Sequence, residues 1–208
     1  MASKQQKEKQ IYQGIEVDSQ EEIMAAMWFY ELQIAGYVKE IRRAESLQLS
    51  NAVELEFFKT VQMKTKSKTV LKKDSILKGH LYTAEFLIVW TAKAKENIVW
   101  VRAEHTNDRK NRPFIGHWDS TDGLVSYIEV KPVWDQQNME RLFKINQKWV
   151  MDKYGIFINL VKPQELFAKT FTPEAYRLTA TGKDKKIKWQ VRSIDEWIKQ
   201  KEDEVRNT

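Results

Sequence analysis

The chain of 208 residues contains no cysteine, which excludes disulfide bonds, cysteine-ligated zinc and thiol catalysis together. It also lacks any apolar run approaching the ~20 residues that a membrane-spanning helix requires. The first ten residues are polar and include no apolar segment of the kind that signal peptides carry. We therefore expect a cytoplasmic protein with no membrane partner.

Glycine and histidine are also scarce. The seven glycines do not cluster, so neither a phosphate-binding Walker loop nor a Rossmann glycine fingerprint is present. The three histidines, His80, His105 and His117, lack the spacing of metal-binding motifs. No serine lies in a glycine-flanked nucleophile elbow. Carboxylates and lysines are the groups that remain for chemistry.

Hydrophobic residues make up 42% of the chain and aromatic residues 12%, which excludes a disordered protein. This content suffices for one sizeable core, or for one domain with a small appendage. Lysine and arginine together number 35 against 29 acidic residues, giving a net charge of +6. That surplus fits a nucleic-acid partner without requiring one.

The order of the predicted elements indicates an α/β protein with a central mixed β-sheet flanked by helices. We expect a flexible tail over residues 1–10, a core over residues 11–164, and a C-terminal extension over residues 165–208 that packs on the core. No internal repeat is present.

The first helix has clear end signals. Ser19 is a suitable N-cap, Glu22 three residues later completes a capping box, and Gly36 is a suitable stop. Helical spacing predicts that Ile23, Met27, Tyr30 and Ile34 share one apolar face. The other predicted elements are single strands over "IYQGIEV", "HLYTAEFLIVW", "NIVWVRA", "GLVSYIEVK" and "IFINLV", a basic hairpin between Lys59 and Lys78, and helices over "QQNMERLFKINQKWVMDKYG" and "IDEWIKQKEDEV".

The stretch "SYIEVKPVW" combines a buried-strand pattern with a pair of charges. Strand alternation places Ile128 and Val130 on one face and Glu129 and Lys131 on the other, and Pro132 then ends the ladder. A solvent-facing ion pair is one interpretation of the two charges. A functional site is the other.

A second acid, Glu85, lies in the strand pattern "YTAEFLI", whose flanking Ala84, Phe86 and Ile88 would face the core. Two acids that converge from adjacent strands repel each other unless a cation joins them. Mg²⁺ suits this role because it binds one or two carboxylates together with waters and substrate phosphates. Lys131 could then steady a water nucleophile or the negative charge that develops on phosphorus. These groups suit metal-dependent phosphodiester hydrolysis.

Taken in order, "DSQEE" at the start of an amphipathic helix, "YTAEF", and "YIEVK" followed by a helix resemble the PD-(D/E)XK, or restriction-endonuclease-like, nuclease superfamily. The layout is most similar to phage and mobile-element endonucleases, including the endonuclease I group of Holliday junction resolvases. The resemblance covers residues 18–161.

The resemblance implies a restriction-endonuclease-like core, a DNA substrate, Mg²⁺ or Mn²⁺ as cofactor, and a homodimer. It implies catalysis by Glu22, Glu85, Glu129 and Lys131, with the three glutamates as metal ligands. For the helix acid, Glu21 is the adjacent alternative to Glu22. If the gene belongs to a phage, the expected compartment is the host cytoplasm.

Two features depart from the family pattern. Glu85 stands where the family usually has aspartate, often beside proline, and 43 residues separate Glu85 from Glu129. Two other functions therefore stay open, namely a catalytically inactive DNA-binding accessory protein with the nuclease fold and a structural, virion-associated protein.

Basic residues outside this constellation are candidates for DNA contacts, or alternatively a solvated surface: Lys64, Lys66, Lys68, Lys72, Lys73, Arg109, Lys110 and Arg112. Gln147 and Lys148 follow the Glu-x-Lys strand on a helix. They are candidates for supporting polar residues of the site, with an ordinary helix surface as the alternative.

Overall fold

Local signals set both ends of the first helix, α1 (Gln20–Ile34). The Ser19 hydroxyl accepts a hydrogen bond from the Glu22 backbone N–H at 3.1 Å. After the helix, Gly36 takes a φ of +79°, a conformation that residues with a Cβ rarely adopt. The predicted N-cap and stop are confirmed.

The computed structural model describes residues 10–101, 112–134, 139–179 and 181–206. The protein is mixed α/β with a central sheet flanked by helices, as predicted. The later helices in the described residues are α2 (Ala94–Asn97), α3 (Met139–Tyr154), α4 (Pro163–Lys169), α5 (Glu174–Arg177) and α6 (Ile194–Arg206). Of these, α2, α4 and α5 were not predicted. No helix in the described ranges is both long and apolar enough to cross a membrane.

The strands are short near the N-terminus and longest in the middle of the chain. Their bounds are β1 (Gln10–Tyr12), β2 (Ile15–Val17), β3 (Val38–Arg43), β4 (Leu47–Ser50), β5 (Val53–Gln62), β6 (Ser67–Leu77), β7 (His80–Tyr82), β8 (Phe86–Trp90), β9 (Val99–Trp100), β10 (Phe114–Ile115), β11 (His117–Asp119), β12 (Gly123–Val130) and β13 (Ile158–Val161).

The central sheet has five strands, with β12 and β8 in the middle. β8 pairs antiparallel with both β12 and β3. The other edge of β12 pairs first with β11, antiparallel, and then with β13, parallel. The parallel β13 makes the sheet mixed, and α3 forms its connection from β12.

The main core lies between α1 and one face of this sheet. Phe86 and Ile88 from β8 and Ile128 from β12 are fully buried there, so the predicted core-facing side of these strands is confirmed. The C-terminal region contributes to the same core. Trp28 of α1 stacks on Phe171 with ring centroids 5.0 Å apart, and its indole N–H donates to the Thr170 hydroxyl at 3.0 Å.

The chain divides into two compact units, Met1–Glu45 with Ala84–Thr208 and, separately, Ser46–Thr83. The second unit contains the two-stranded sheet of β4 and β7 and the predicted basic hairpin, formed by β5 and β6. We call residues 53–77 the ribbon. The sequence pattern places residues 46–83 inside the core region and does not predict a separate unit.

Two stretches that were predicted as single strands are each divided. In "IYQGIEV", Gln13 and Gly14 both take positive φ, +49° and +84°, which folds the stretch into the β1–β2 hairpin. "HLYTAEFLIVW" is divided at residues 83–85, because β7 pairs with β4 of the second unit whereas β8 joins the central sheet.

The predicted apolar face of α1 is wrong. Ile34 is 73% exposed, while the residues that face the core are Ala25, Ala26, Trp28, Phe29 and Leu32. Apolar residues occur almost all round this helix, so spacing alone cannot identify the buried side. The larger rings of Trp28 and Phe29 occupy the core.

Candidate active site

The ends of β8 and β12 bring two of the predicted acids together. Glu85 immediately precedes β8, and its backbone N–H donates to the Ile128 carbonyl at 2.9 Å. Phe86 is paired with Ile128, so Glu85 and Glu129 are neighbours on adjacent strands. The predicted strand neighbourhood of these two glutamates is therefore present.

Glu22 reaches the same place from the N-terminus of α1. Its carboxylate accepts from the Ser19 hydroxyl at 3.0 Å and from the Asp18 backbone N–H at 3.1 Å, which are capping-box contacts. These bonds hold the side chain in a buried position, with Glu22 only 5% exposed. Glu21, the alternative helix acid, is partly exposed. The structure therefore favours Glu22 as the helix acid of this cluster.

Arg43, at the end of β3, joins the acids. Its Nη1 lies 2.8 Å from Glu22 Oε2 and 3.3 Å from Glu85 Oε2, while its Nη2 lies 3.2 Å from Asp18 Oδ2. One guanidinium therefore bridges the helix acid and the strand acid. Sequence analysis missed Arg43; the available signal was that three converging glutamates and one lysine leave negative charge uncompensated.

Glu129 and Lys131 form a buried ion pair rather than a solvated one. Lys131 Nζ lies 2.5 Å from Glu129 Oε1, and their side chains are 17% and 8% exposed. The Lys131 backbone N–H donates to the Val161 carbonyl at 2.9 Å, which continues the ladder between β12 and β13 past Val130. Because the pair is withdrawn from water, the solvent-facing interpretation of this strand end is wrong.

Glu85 carries the clearest electrostatic perturbation in the cluster. Burial, followed by the nearby carboxylates of Glu22 and Glu129, raises the pKa of Glu85 to about 7. Arg43 and Lys131 act in the opposite direction but do not compensate. Close to neutral pH, this carboxyl group is therefore poised between its protonated and ionised forms, so an additional cation would favour the ionised form.

The donor set suits a hard divalent cation, since carboxylate oxygens are the ligands that Mg²⁺ and Mn²⁺ prefer. Within the described ranges, however, no group of three or more His, Cys, Asp or Glu side chains is arranged to hold a metal ion. Mg²⁺ needs only one or two protein carboxylates alongside waters and substrate phosphates. The pair formed by Glu85 and Glu129 meets that requirement chemically.

The predicted supporting residues lie on α3. The Gln147 side-chain amide donates to the Ile158 carbonyl at 2.5 Å, so it ties α3 to β13. Lys148 is exposed. The contact of Gln147 therefore connects two elements of the fold. Within the described part of the chain, neither Gln147 nor Lys148 contacts the acid cluster.

The predicted DNA-binding residues lie in two separate parts of the chain. Lys64 and Lys66 lie in the turn of the ribbon, and Lys68, Lys72 and Lys73 lie on β6. Arg112 donates from Nε to the Lys95 carbonyl and from Nη2 to the Glu96 carbonyl, both at 3.0 Å, so its side chain is bound to the backbone of α2. Arg109 and Lys110 lie outside the described residues.

The fold and these contacts define a mixed α/β protein in which four acids and two cations cluster where a central sheet meets the N-terminus of a helix. Comparisons of the chain with protein-family models, with curated proteins and with solved structures found no match.

Proposed function

We propose that the chain is a metal-dependent endonuclease that hydrolyses phosphodiester bonds in DNA, as its resemblance to PD-(D/E)XK nucleases implies. The observation that carries the proposal is the position of Glu85. Its pKa is raised to about 7 between Glu22 and Glu129, with the Lys131 ammonium beside them. An excess of carboxylate withdrawn from water, next to a lysine, suits divalent-cation phosphodiester chemistry.

In this proposal, Glu85 and Glu129 hold Mg²⁺ or Mn²⁺, and Glu22 extends the acidic wall from α1. The bound metal supplies Lewis-acid stabilisation of charge on the scissile phosphate. Lys131 is held by Glu129 at 2.5 Å, so its ammonium is oriented before substrate arrives. It donates hydrogen bonds to the attacking water or to a non-bridging phosphate oxygen, where negative charge increases in the transition state.

Branched DNA is the substrate that the resemblance favours, because the most similar layout is that of Holliday junction resolvases from phages and mobile elements. Resolving a four-way junction requires two symmetric nicks, which a symmetric homodimer supplies. Lys68 and Lys72, on β6 of the second unit, would contact the DNA backbone.

One observation favours a second candidate, a DNA-binding accessory protein without catalysis. Arg43 bridges Glu22 and Glu85 at 2.8 and 3.3 Å, so a protein cation already occupies part of the space between the acids. A cation fixed in this way would stabilise the cluster without any metal.

A cleavage assay separates the two candidates. We expect the protein to nick supercoiled plasmid and a four-way junction in Mg²⁺ or Mn²⁺, and to be inactive in EDTA, because the acids alone cannot stabilise the developing charge. Cleavage of a single-stranded oligonucleotide, measured alongside, tests whether the protein prefers duplex or branched DNA. DNA binding without cleavage in any of these metals would support the accessory protein and reject the nuclease.

The capping box of α1 gives a further prediction. Ser19→Ala should lower the free energy of unfolding by about 1 kcal/mol, as the loss of an N-cap does, and should also slow cleavage because the Ser19 hydroxyl positions Glu22. Denaturant unfolding and single-turnover cleavage measure the two effects.

Ser193→Ala is the matched control. Ser193 and Glu196 make the same reciprocal bonds at the start of α6, where the Ser193 hydroxyl accepts from the Glu196 N–H at 3.2 Å. The Ser193→Ala variant should show a similar decrease in the free energy of unfolding, with no change in cleavage rate. Equal cleavage rates in the two variants would show that the Ser19 contact acts only on helix stability.

A further inference from the structure

The ribbon exposes both of its faces. All ten residues of β5 are exposed, and on β6 only Val70 is partly covered. Isolated two-stranded sheets are marginally stable in water, and contiguous patches of exposed apolar side chains mark sites where a partner binds. Phe57 and Phe58, 41% and 76% exposed, point to opposite sides of the ribbon.

The strand register divides the ribbon into two different faces. Directly paired residues share a face, and successive residues alternate between faces. We call the first the lysine face; it comprises Leu55, Phe57, Lys59, Val61, Lys68, Val70, Lys72 and Asp74. We call the second the threonine face; it comprises Glu54, Glu56, Phe58, Thr60, Gln62, Ser67, Thr69, Leu71, Lys73 and Ser75.

The two faces differ in net charge. On the threonine face, Lys73 is paired with Glu56 at 2.9 Å, and Glu54 adds a further negative charge. On the lysine face, Lys59, Lys68 and Lys72 are exposed and take part in none of the ion pairs among the described residues. Asp74 is the one acid on that face. The lysine face is therefore the cationic side of the ribbon.

The lysines of this face alternate between the two strands. Lys72 and Lys68 lie on β6, about 13 Å apart at ~3.3 Å per residue, and Lys59 lies on β5 between them in register. Each lysine lies opposite an apolar residue of the other strand. Lys72 is opposite Phe57, Lys68 is opposite Val61, and Lys59 is opposite Val70. Positive charge thus runs along both edges, with apolar side chains among the charges.

We propose that the lysine face of the ribbon lies in the major groove of duplex DNA. The major groove is wide enough to admit a two-stranded β-ribbon, and the ten residues of β5 span ~33 Å, about one turn of B-form DNA. Lysines on both edges contact phosphates on both walls of the groove. The apolar residues among them contact base edges and thymine methyl groups. The inference rests on the proposed function only in that both take DNA as the partner, since it requires no catalysis.

The test compares two triple variants that remove equal charge from the full chain. Lys59→Gln, Lys68→Gln and Lys72→Gln together change the lysine face. Lys64→Gln, Lys66→Gln and Lys73→Gln together change the turn and the threonine face. Fluorescence anisotropy with a 20-base-pair duplex, over a series of salt concentrations and without divalent metal, measures affinity. Circular dichroism and denaturant unfolding establish that both variants fold like the unmodified chain.

The lysine-face variant should bind on the order of 10²-fold more weakly at 0.1 M salt, and its salt slope should decrease by about 2.7, or about 0.9 for each phosphate that is no longer neutralised. The control should bind less than about tenfold more weakly, with a slope change below about one. Dimethyl sulfate should show guanine N7 atoms of the bound duplex protected by the unmodified chain and not by the lysine-face variant.

Equally weakened binding in the two variants, unprotected N7 atoms in the bound duplex, or tighter binding to single-stranded DNA would each overturn the inference. Its failure is distinct from failure of the nuclease proposal. A chain that needs the lysine face to bind duplex but never cleaves DNA supports this inference and rejects the nuclease. If the chain cleaves DNA in Mg²⁺ but both variants bind duplex like the unmodified protein, the nuclease proposal is supported and this inference is rejected.

Discussion

Lys131→Ala is expected to lower the single-turnover rate of junction cleavage by about 10²–10³, while DNA binding measured in Ca²⁺ stays nearly unchanged. Removing one pre-oriented donor that stabilises transition-state charge has an effect of this order. Lys131 is pre-oriented because Glu129 holds its ammonium at 2.5 Å and the Val161 carbonyl holds its backbone N–H at 2.9 Å. Its side chain lies outside the apolar face formed by Ile128 and Val130, so the variant should still fold, with some loss of stability because the buried ion pair with Glu129 is broken.

Glu129→Gln should act differently at the same strand end. It removes a charge that is proposed to hold the metal, so it should raise the Mg²⁺ concentration needed for half-maximal cleavage as well as lower the rate. It also leaves Lys131 without its buried partner, which costs stability. Cleavage titrated with Mg²⁺, together with denaturant unfolding, separates the two effects.

Lys162→Ala is a matched control for Lys131→Ala. Lys162 follows β13 as Lys131 follows β12, and it is ion-paired with Glu140 at 2.9 Å with a side chain 21% exposed. Its removal should leave the cleavage rate unchanged, because it has no part in the proposed site. If Lys131→Ala cleaves as fast as Lys162→Ala, the proposed role of Lys131 is wrong.

Glu85→Gln is expected to stabilise the protein at alkaline pH. The pKa of Glu85 is raised from an ordinary 4.5 to about 7 in the folded chain. Between these values the folded chain retains a proton that the unfolded chain has released, so the free energy of unfolding falls as pH rises from about 4.5 to about 7. A glutamine side chain does not ionise in this pH range, so the free energy of unfolding of the variant does not show this decrease.

The expected size follows from the shift. At about 1.36 kcal/mol per pKa unit, the variant should be about 3 kcal/mol more stable than the unmodified chain at pH 8, and about equally stable at pH 4. Denaturant unfolding at the two pH values measures this. Added Mg²⁺ should raise the stability of the unmodified chain at pH 8 and have less effect on Glu85→Gln, since a ligand stabilises the state that binds it.

Glu140→Gln should give the opposite sign. Hydrogen bonds from Lys162 and then Lys144 lower the pKa of Glu140, so its ionised form contributes stability above its ordinary pKa. The glutamine variant should therefore be less stable at pH 8, with a difference that shrinks on acidification. If Glu85→Gln follows the same direction as Glu140→Gln, the acids of the cluster are fully compensated by Arg43 and Lys131.

The parts of the candidate site that sequence could predict depend on neighbours in the chain. The bonds between Ser19 and Glu22 span three residues, and the two-residue period of a strand separates Glu129 from Ile128. Short-range geometry of this kind follows from the backbone alone. For this reason the helix start and the buried face of β12 were predicted correctly.

Arg43 could not be predicted, because its position depends on pairing between strands that lie far apart in sequence. It is brought to the acids by the register of β3 against β8, in which Arg43 is opposite Phe86. The same dependence on partners explains the break before Glu85. No local signal shows that β7 pairs with β4 while β8 pairs with β12.

By itself, the sequence determined the α/β class, the capped start of α1, the alternation in β12 and the basic hairpin, since each follows from local propensity or periodicity. Only the tertiary structure decided which side of α1 is buried, that residues 46–83 form a separate unit, and that a guanidinium joins Glu22 to Glu85. These features depend on the burial of large side chains and on the compensation of buried charge. Both are properties of groups that meet only after the chain has folded.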